Sequence, residues 1–474
     1  MKHFNNPYNY NLPTDENMFY GRHELVNKIV QTVLSNLGDS IALIGGRRIG
    51  KTSLLEAVYR SLSAPVGSDR LKPIPILIDL KGEVIESPQD FLRVMLNCID
   101  EEIACSEYNA LDPLSSQLSS TYSGGAFHRK LDGWATGFLK RYGLQPRLVI
   151  LFDECEKLSG APWSASLQGM IRAMLTAKEC RSVLKIVLAG SHGFWSRAKS
   201  PGSPLSNILS YHYLSVLDRD SAIKLIKEPI YHLFEDNDFI IPTNIVDLLL
   251  EYTGGHPFLL QYLMYMACEE SVSGITAEQI QHAVQSFYML RPDFSDWQTA
   301  IGKIGTRVYH ALAKSNTPLD QISVRNAIGV HSELVSLVLT ELYCYGIITN
   351  TSSVTHYQIA GRMFNEWLMN SHDFSRPLTT IRPRQTQDLS DHIMNCPCME
   401  DRGIRDGIVK DLPDDVRYVI PRNPQTNVDV YNIVREVVER GYLEQLIDFV
   451  RFYERDSLPF QKLEQYLKLS LIHI

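Results

Sequence analysis

A chain of 474 residues exceeds what one hydrophobic core ordinarily supports, so roughly two to four domains are expected. Its formal charge of −8 excludes wholesale electrostatic attraction to nucleic acid or anionic membrane and leaves only local basic faces for such contacts. No apolar run of about 18 residues occurs, and the start from Met1 to Asn11 lacks a signal peptide's apolar stretch, so a cytoplasmic protein without membrane contact is expected.

In chain order, Glu24 to Leu37 carries apolar residues at helical spacing, and Ser40 to Ile44 is a short apolar run that reads as a buried strand. Gly45-Gly46-Arg47-Arg48-Ile49-Gly50-Lys51-Thr52 follows and matches G-x-x-x-x-G-K-[ST], ahead of a helical run from Ser53 to Leu62. The chemistry needs these residue types in this order. Glycines let backbone amides curl around phosphate oxygens, the helix start adds its positive dipole end, Lys51 reaches the β and γ phosphates, and Thr52 offers a hydroxyl to Mg2+. Gly45 through Ser53 are therefore assigned to binding ATP or ADP. Arg47 and Arg48 supply charge to nucleotide or to a neighbouring subunit, or are simply solvated.

Further strands are predicted at Ile74 to Leu80, Leu148 to Phe152 and Leu184 to Ala189, with a helix from Pro88 to Ile103 and a Ser- and Gly-rich loop from Ser115 to Gly125. Alternation of strands and helices predicts an α/β P-loop core over residues 1–214, a parallel sheet with helices on both faces. The third strand runs directly into Asp153-Glu154, which places two carboxylates at the sheet's carboxyl edge. Asp153 is assigned, with Thr52, to the Mg2+ shell, and Glu154 to polarising the attacking water, with Lys51 completing the catalytic set. Glu156 ranks behind Glu154. Ser191, after the fourth strand, either senses the γ phosphate or occupies an ordinary turn.

Residues 215–298 read as a helical lid interrupted at Gly254-Gly255-His256-Pro257, and residues 299–370 as helices followed by a two-stranded wing, Tyr345 to Ile348 and His356 to Ile359. Residues 371–390 read as a linker and 391–474 as a small helical domain. The eight cysteines lie mostly in apolar segments, as reduced buried thiols do, and Cys396 with Cys398 makes a poor zinc site without further partners.

Taken with the two nucleotide motifs, Phe19-Tyr20-Gly21-Arg22-His23-Glu24 and Gly255-His256-Pro257 resemble motifs of the STAND ATPases, the signal transduction ATPases with numerous domains, over Asn6 to Leu368. The resemblance implies that Gly21 and Arg22 pack near base and ribose and that Pro257 lies against adenine. It further implies a winged helix, an ADP-closed state, exchange to ATP with self-association, and Glu154 as a hydrolytic timer. The family's Met-His-Asp element is missing, and His356 reads as a solvated strand residue.

Asn395-Cys396-Pro397-Cys398-Met399, Arg402, Arg405, Leu412-Pro413, Asp429-Val430, Ile433-Val434 and Gly441-Tyr442-Leu443 resemble the second class of effector-associated domain. That likeness implies an adaptor that recruits a separate effector, such as a peptidase, carrying a similar module, in bacterial antiphage defence or programmed cell death. The alternative is a DNA-binding ATPase similar to archaeal origin-recognition proteins. Against it, the candidate recognition segment Ser332 to Leu342 contains Glu333 and Glu341 but no Lys or Arg.

Overall fold

The computed structural model describes residues 6–36, 38–64, 70–115, 124–158, 163–198, 203–205, 207–233, 239, 241–269, 274–330, 332–351, 355–371, 383–412, 414–439, 442–454 and 457–470. Most of the expected loop Ser115 to Gly125, most of the first part of the expected linker, Pro413 and Gly441 lie outside them. The chain forms two compact units, Met1–Met289 with Cys344–Gly346, and Leu290–Tyr343 with Ile347–Ile474.

The first unit is built on five parallel strands, β1 (Ser40–Ile44), β2 (Leu71–Asp79), β3 (Gln145–Asp153), β4 (Leu184–Gly190) and β5 (Leu209–Tyr213), in the order β2-β3-β4-β1-β5. Alternate side chains of each strand reach opposite faces, so one apolar run serves two cores. Ile41, Leu43, Val149, Leu151 and Val187 pack with α1 (His23–Leu34) and α2 (Lys51–Ser63) on one face. Ala42, Ile44, Ile150, Phe152 and Leu188 pack on the other with α3 (Pro88–Cys105), α4 (Gly124–Tyr142) and the helix Ser164–Thr176. Helix α3 starts where the sequence places it because Ser87 accepts the Asp90 amide at 3.1 Å and Pro88 occupies the first turn, where no amide is needed.

A buried cation fastens α1 to the sheet. Arg147 of β3 donates to the carbonyls of Val33, Leu34 and Ser35 at 2.9, 3.0 and 3.1 Å, so a guanidinium satisfies the last carbonyls of the helix at its negative dipole end. After β5, in the segment expected to be a lid, come the helices Arg219–Tyr231, Thr243–Thr253, Pro257–Glu269 and Ala277–Leu290.

The second unit opens with the helix Asp293–Lys314, broken at Gly302 where φ is 65° and ψ −174°. Helices Gln321–Ile328 and Ser332–Cys344 follow, then an antiparallel sheet of β6 (Leu319–Asp320), β7 (Ile348–Asn350) and β8 (His356–Ile359) in the order β6-β8-β7. The sheet has one more strand than the expected two-stranded wing, because β6 pairs with β8 ahead of the helix that Asp320 caps. A helical bundle completes the unit. Its first helix, Pro383–Met394, begins inside the stretch expected to be linker.

Candidate nucleotide site

Lys51 is the first residue of α2 and is almost fully buried, so the sheet and helix together fix its ammonium. The Nζ donates to the carbonyls of Gly45 and Gly46, both at 3.1 Å, which holds the loop curled over the start of α2. The turn requires left-handed backbone at Gly50 (φ 94°) and at Arg48 (φ 67°), the latter uncommon for a residue with a side chain. Gly46 is needed for a different reason. Its amide donates to the Cys344 carbonyl at 2.8 Å, within the same unit, and a Cβ there would lie 2.8 Å from the Tyr345 Cα.

Strand order brings the acid pair to this loop. Strand β3 lies one strand away from β1, and Thr52 Oγ1 donates to Asp153 Oδ2 at 2.5 Å. These two hard oxygen donors suit Mg2+, which binds proteins through one or two such groups and keeps substrate and water oxygens for the rest. Glu154 follows with a left-handed backbone (φ 55°), its amide donating to Asp153 Oδ1 at 2.9 Å. That kink turns Glu154 into the cavity while Asp153 stays buried behind Thr52. Burial, and then the neighbouring Glu156, push the Glu154 carboxyl above its ordinary range, while Lys51 and Lys81 pull it down.

The cavity in front of these residues measures about 430 Å³, within the range of ligand pockets. Arg47, Arg48, Gly50, Lys51, Thr52 and Glu154 line it together with Phe19, Leu217, Pro257 and Phe258. Arg22 also lines it. The guanidinium donates to the Ile49 carbonyl at 2.8 Å and the Ser215 carbonyl at 2.6 Å, so Arg22 ties the phosphate loop to the start of the lid segment. Arg48 lies 5.0 Å above the Phe258 ring, a second bond between loop and lid.

Of the residues assigned from sequence, Arg22, Arg47, Arg48, Gly50, Lys51, Thr52, Ser53, Glu154 and Pro257 line this one cavity. Gly45, Gly46 and Ile49 shape the loop through their backbones without lining it. Gly21 faces elsewhere: a Cβ on it would come 2.9 Å from Ser221 of the lid, so its role is close packing in a left-handed turn. Ser191 does not line the cavity. Its carbonyl accepts the Trp195 amide at 3.3 Å as the chain turns into the helix His192–Ala198. Glu156 sits in the 3-10 turn Cys155–Leu158, also off the cavity wall.

Sequence reasoning missed the segment Asn9 to Thr14, which forms one wall. Tyr8 OH donates to the Ile226 carbonyl at 2.5 Å, the Tyr10 ring meets Tyr262 and Tyr265 edge-on at 4.9 and 5.2 Å, and Thr14 N donates to Ser53 Oγ at 3.1 Å. The density of Tyr and Asn in that stretch was the available signal. Gln261 of the lid and Lys81 after β2 were missed as well.

Residues 390–468 match the family model for Effector-associated domain 2. No curated protein matches the chain. Among solved structures, the fold is similar to the Walker-type ATPase paby2304 of Pyrococcus abyssi, with a TM-score of 0.51 and 17% identity over 77% of this chain and 99% of that one. Weaker likenesses include the ORC1 protein of Aeropyrum pernix, solved in complex with DNA, at TM-score 0.38, 15% identity, and 74% and 93% coverage. The Thermotoga maritima RuvB branch migration motor is similar at TM-score 0.37, 14% identity, and 76% and 98% coverage.

Fold and site together define a P-loop NTPase-like core. The same chain carries an effector-associated domain at its C-terminal end.

Proposed function

We propose that the protein is an ATP-dependent signalling switch of the STAND type, which binds and slowly hydrolyses ATP and recruits a separate effector through its C-terminal domain. The observation that carries this reading is the convergence of Lys51, Thr52, Asp153 and Glu154 on one edge of the sheet in a chain that also matches Effector-associated domain 2. ATP enters with its phosphates at the Gly50 to Thr52 helix start, where backbone amides and Lys51 neutralise them. Mg2+, held through Thr52 and Asp153, would supply charge neutralisation between phosphate oxygens. Glu154 orients a water and accepts its proton.

Because Arg22 and Arg48 each bridge the phosphate loop and the lid, loop rearrangement on nucleotide binding is felt by the lid directly. That coupling suits a switch. The ATP state self-associates, and the C-terminal domain then pairs with a similar module on an effector such as a peptidase, in the cytoplasm of a bacterium answering phage infection or entering programmed death. Among the described residues no helix is long and apolar enough to cross a membrane.

The test measures phosphate release by the purified chain with Mg2+ and ATP, beside capture of a candidate effector that carries an effector-associated domain. Hydrolysis that depends on Lys51, and capture that depends on nucleotide, are expected. Capture identical with ATP, with ADP and with no nucleotide would remove the switch.

A further inference from the structure

Lys81 lines the same cavity as Lys51, Thr52 and Glu154, near enough to Glu154 for its charge to act there, although it lies in the turn after β2, far in sequence from either nucleotide motif. Its position is set by backbone bonds on three sides. Strand β2 pairs with β3 so that Asp79 lies opposite Asp153, and the next amide, Leu80 N, donates to the Asp153 carbonyl at 3.3 Å. Lys81 N then donates to Asp79 Oδ1 at 2.9 Å. From the 3-10 turn after the acid pair, Lys157 Nζ donates to the Lys81 carbonyl at 3.1 Å and also to that of Glu83. The turn is thus fastened to the residues that flank Glu154, while the Lys81 side chain itself is exposed.

The carboxylate that feels the Lys81 charge is Glu154. A cation on a fixed turn, beside the carboxylate that faces the attacking water, lies where the terminal phosphate of a triphosphate adds negative charge. The loop amides serve the phosphates common to ATP and ADP, and Lys51 spans the β and γ phosphates. A group on the Glu154 side meets charge that only ATP brings.

Resting on the reading of this cavity as an ATP site, we propose that Lys81 contacts the γ phosphate and gives the protein its discrimination between ATP and ADP. A charge-assisted hydrogen bond of this kind corresponds to about a ten- to hundredfold change in affinity. It places an ATP-reading cation within the chain itself, on the β2 turn, with no need for a neighbouring subunit to supply it.

Calorimetry on the full chain with Mg2+ measures binding of ADP and of a non-hydrolysable ATP analogue to the wild type, Lys81→Ala and Lys81→Arg. Lys81→Ala should weaken the triphosphate about ten- to hundredfold and leave ADP within about twofold, whereas Lys81→Arg should retain most of the preference. An unchanged ratio overturns the proposal, whether both affinities fall together or neither moves. A lower melting temperature in Lys81→Ala with parallel losses for both ligands assigns Lys81 to the turn's structure and also overturns it. Wild type that binds neither nucleotide would remove the ATP-site reading itself, a result separate from any effect of the Lys81 substitutions.

Discussion

Lys51 reaches two loop carbonyls in this structure, and phosphate oxygens are the stronger acceptors, so nucleotide binding exchanges neutral hydrogen bonds for charge-assisted ones. Lys51→Ala should therefore weaken ATP binding on the order of a hundredfold while the fold is kept, since its stem is one of many apolar contacts of α2. Calorimetry checks this; unchanged affinity would remove Lys51 from the site. Glu154→Gln keeps the size of the side chain and loses its capacity to take a proton, so turnover should fall roughly a hundredfold or more with ATP binding preserved. Phosphate release at the wild-type rate would move the role to another acid. These residues were legible in the sequence because backbone chemistry at a phosphate admits few alternatives at fixed spacing. Lys81 and the Asn9 to Thr14 wall were not, since each reaches the site only through strand pairing or long-range ring packing.

Among the elements, β1 to β4 were readable as apolar runs bounded by turns, and the observed β1 has the predicted limits. Strand β5 was missed for a physical reason: Leu209-Ser210-Tyr211-His212-Tyr213 lies at the sheet edge, only Leu209 is fully buried, and its polar composition carries no apolar run. Arg147 was equally opaque, since a cation inside a strand gives no hint that it will cap a helix over a hundred residues earlier. In the C-terminal domain, Arg405 and Asp429, two residues that carried the resemblance, form a buried pair at 3.2 Å. Arg422 adds bonds to Asp429 at 2.9 and 2.8 Å, and the Asn423 amide another at 2.9 Å. Burial would push the Asp429 carboxyl up, but Arg422, the Asn423 amide and Arg405 outweigh it and hold the group at about 2. Because the folded value lies below the unfolded one of about 3.9, the stabilisation is complete above about pH 4 and is lost as pH falls toward 2. Asp429→Asn should flatten that acid limb and, by leaving Arg405 buried without its partner, cost about 3–5 kcal/mol at neutral pH. Chemical unfolding across this pH range measures both effects. Equal acid sensitivity in mutant and wild type would place the pH dependence elsewhere.

At the scale of the whole chain, every cavity-lining residue of the candidate nucleotide site precedes residue 262, and the effector-associated match begins at residue 390. A chain ending at Ser371 should therefore still bind ATP, because the strands, the phosphate loop, the lid helices and the Cys344–Gly346 turn are all retained. The second unit is affected differently. Its helix Leu443–Glu454 packs on the broken helix Asp293–Lys314, with Phe452 and Arg451 beside Ile304, Leu334 and Val338, so truncation uncovers apolar surface around the Gly302 break. Lower solubility or a lower melting temperature is expected from that exposure, with nucleotide affinity within about twofold of the full chain. Effector capture should be lost outright, because Arg405, Asp429 and the helices Thr426–Glu439 and Leu443–Glu454 are gone. Calorimetry and capture run on the same preparation separate the cases. Capture that survives would move the partner surface onto the retained residues, whereas loss of ATP binding by a folded truncated chain would make the C-terminal domain a part of the nucleotide switch.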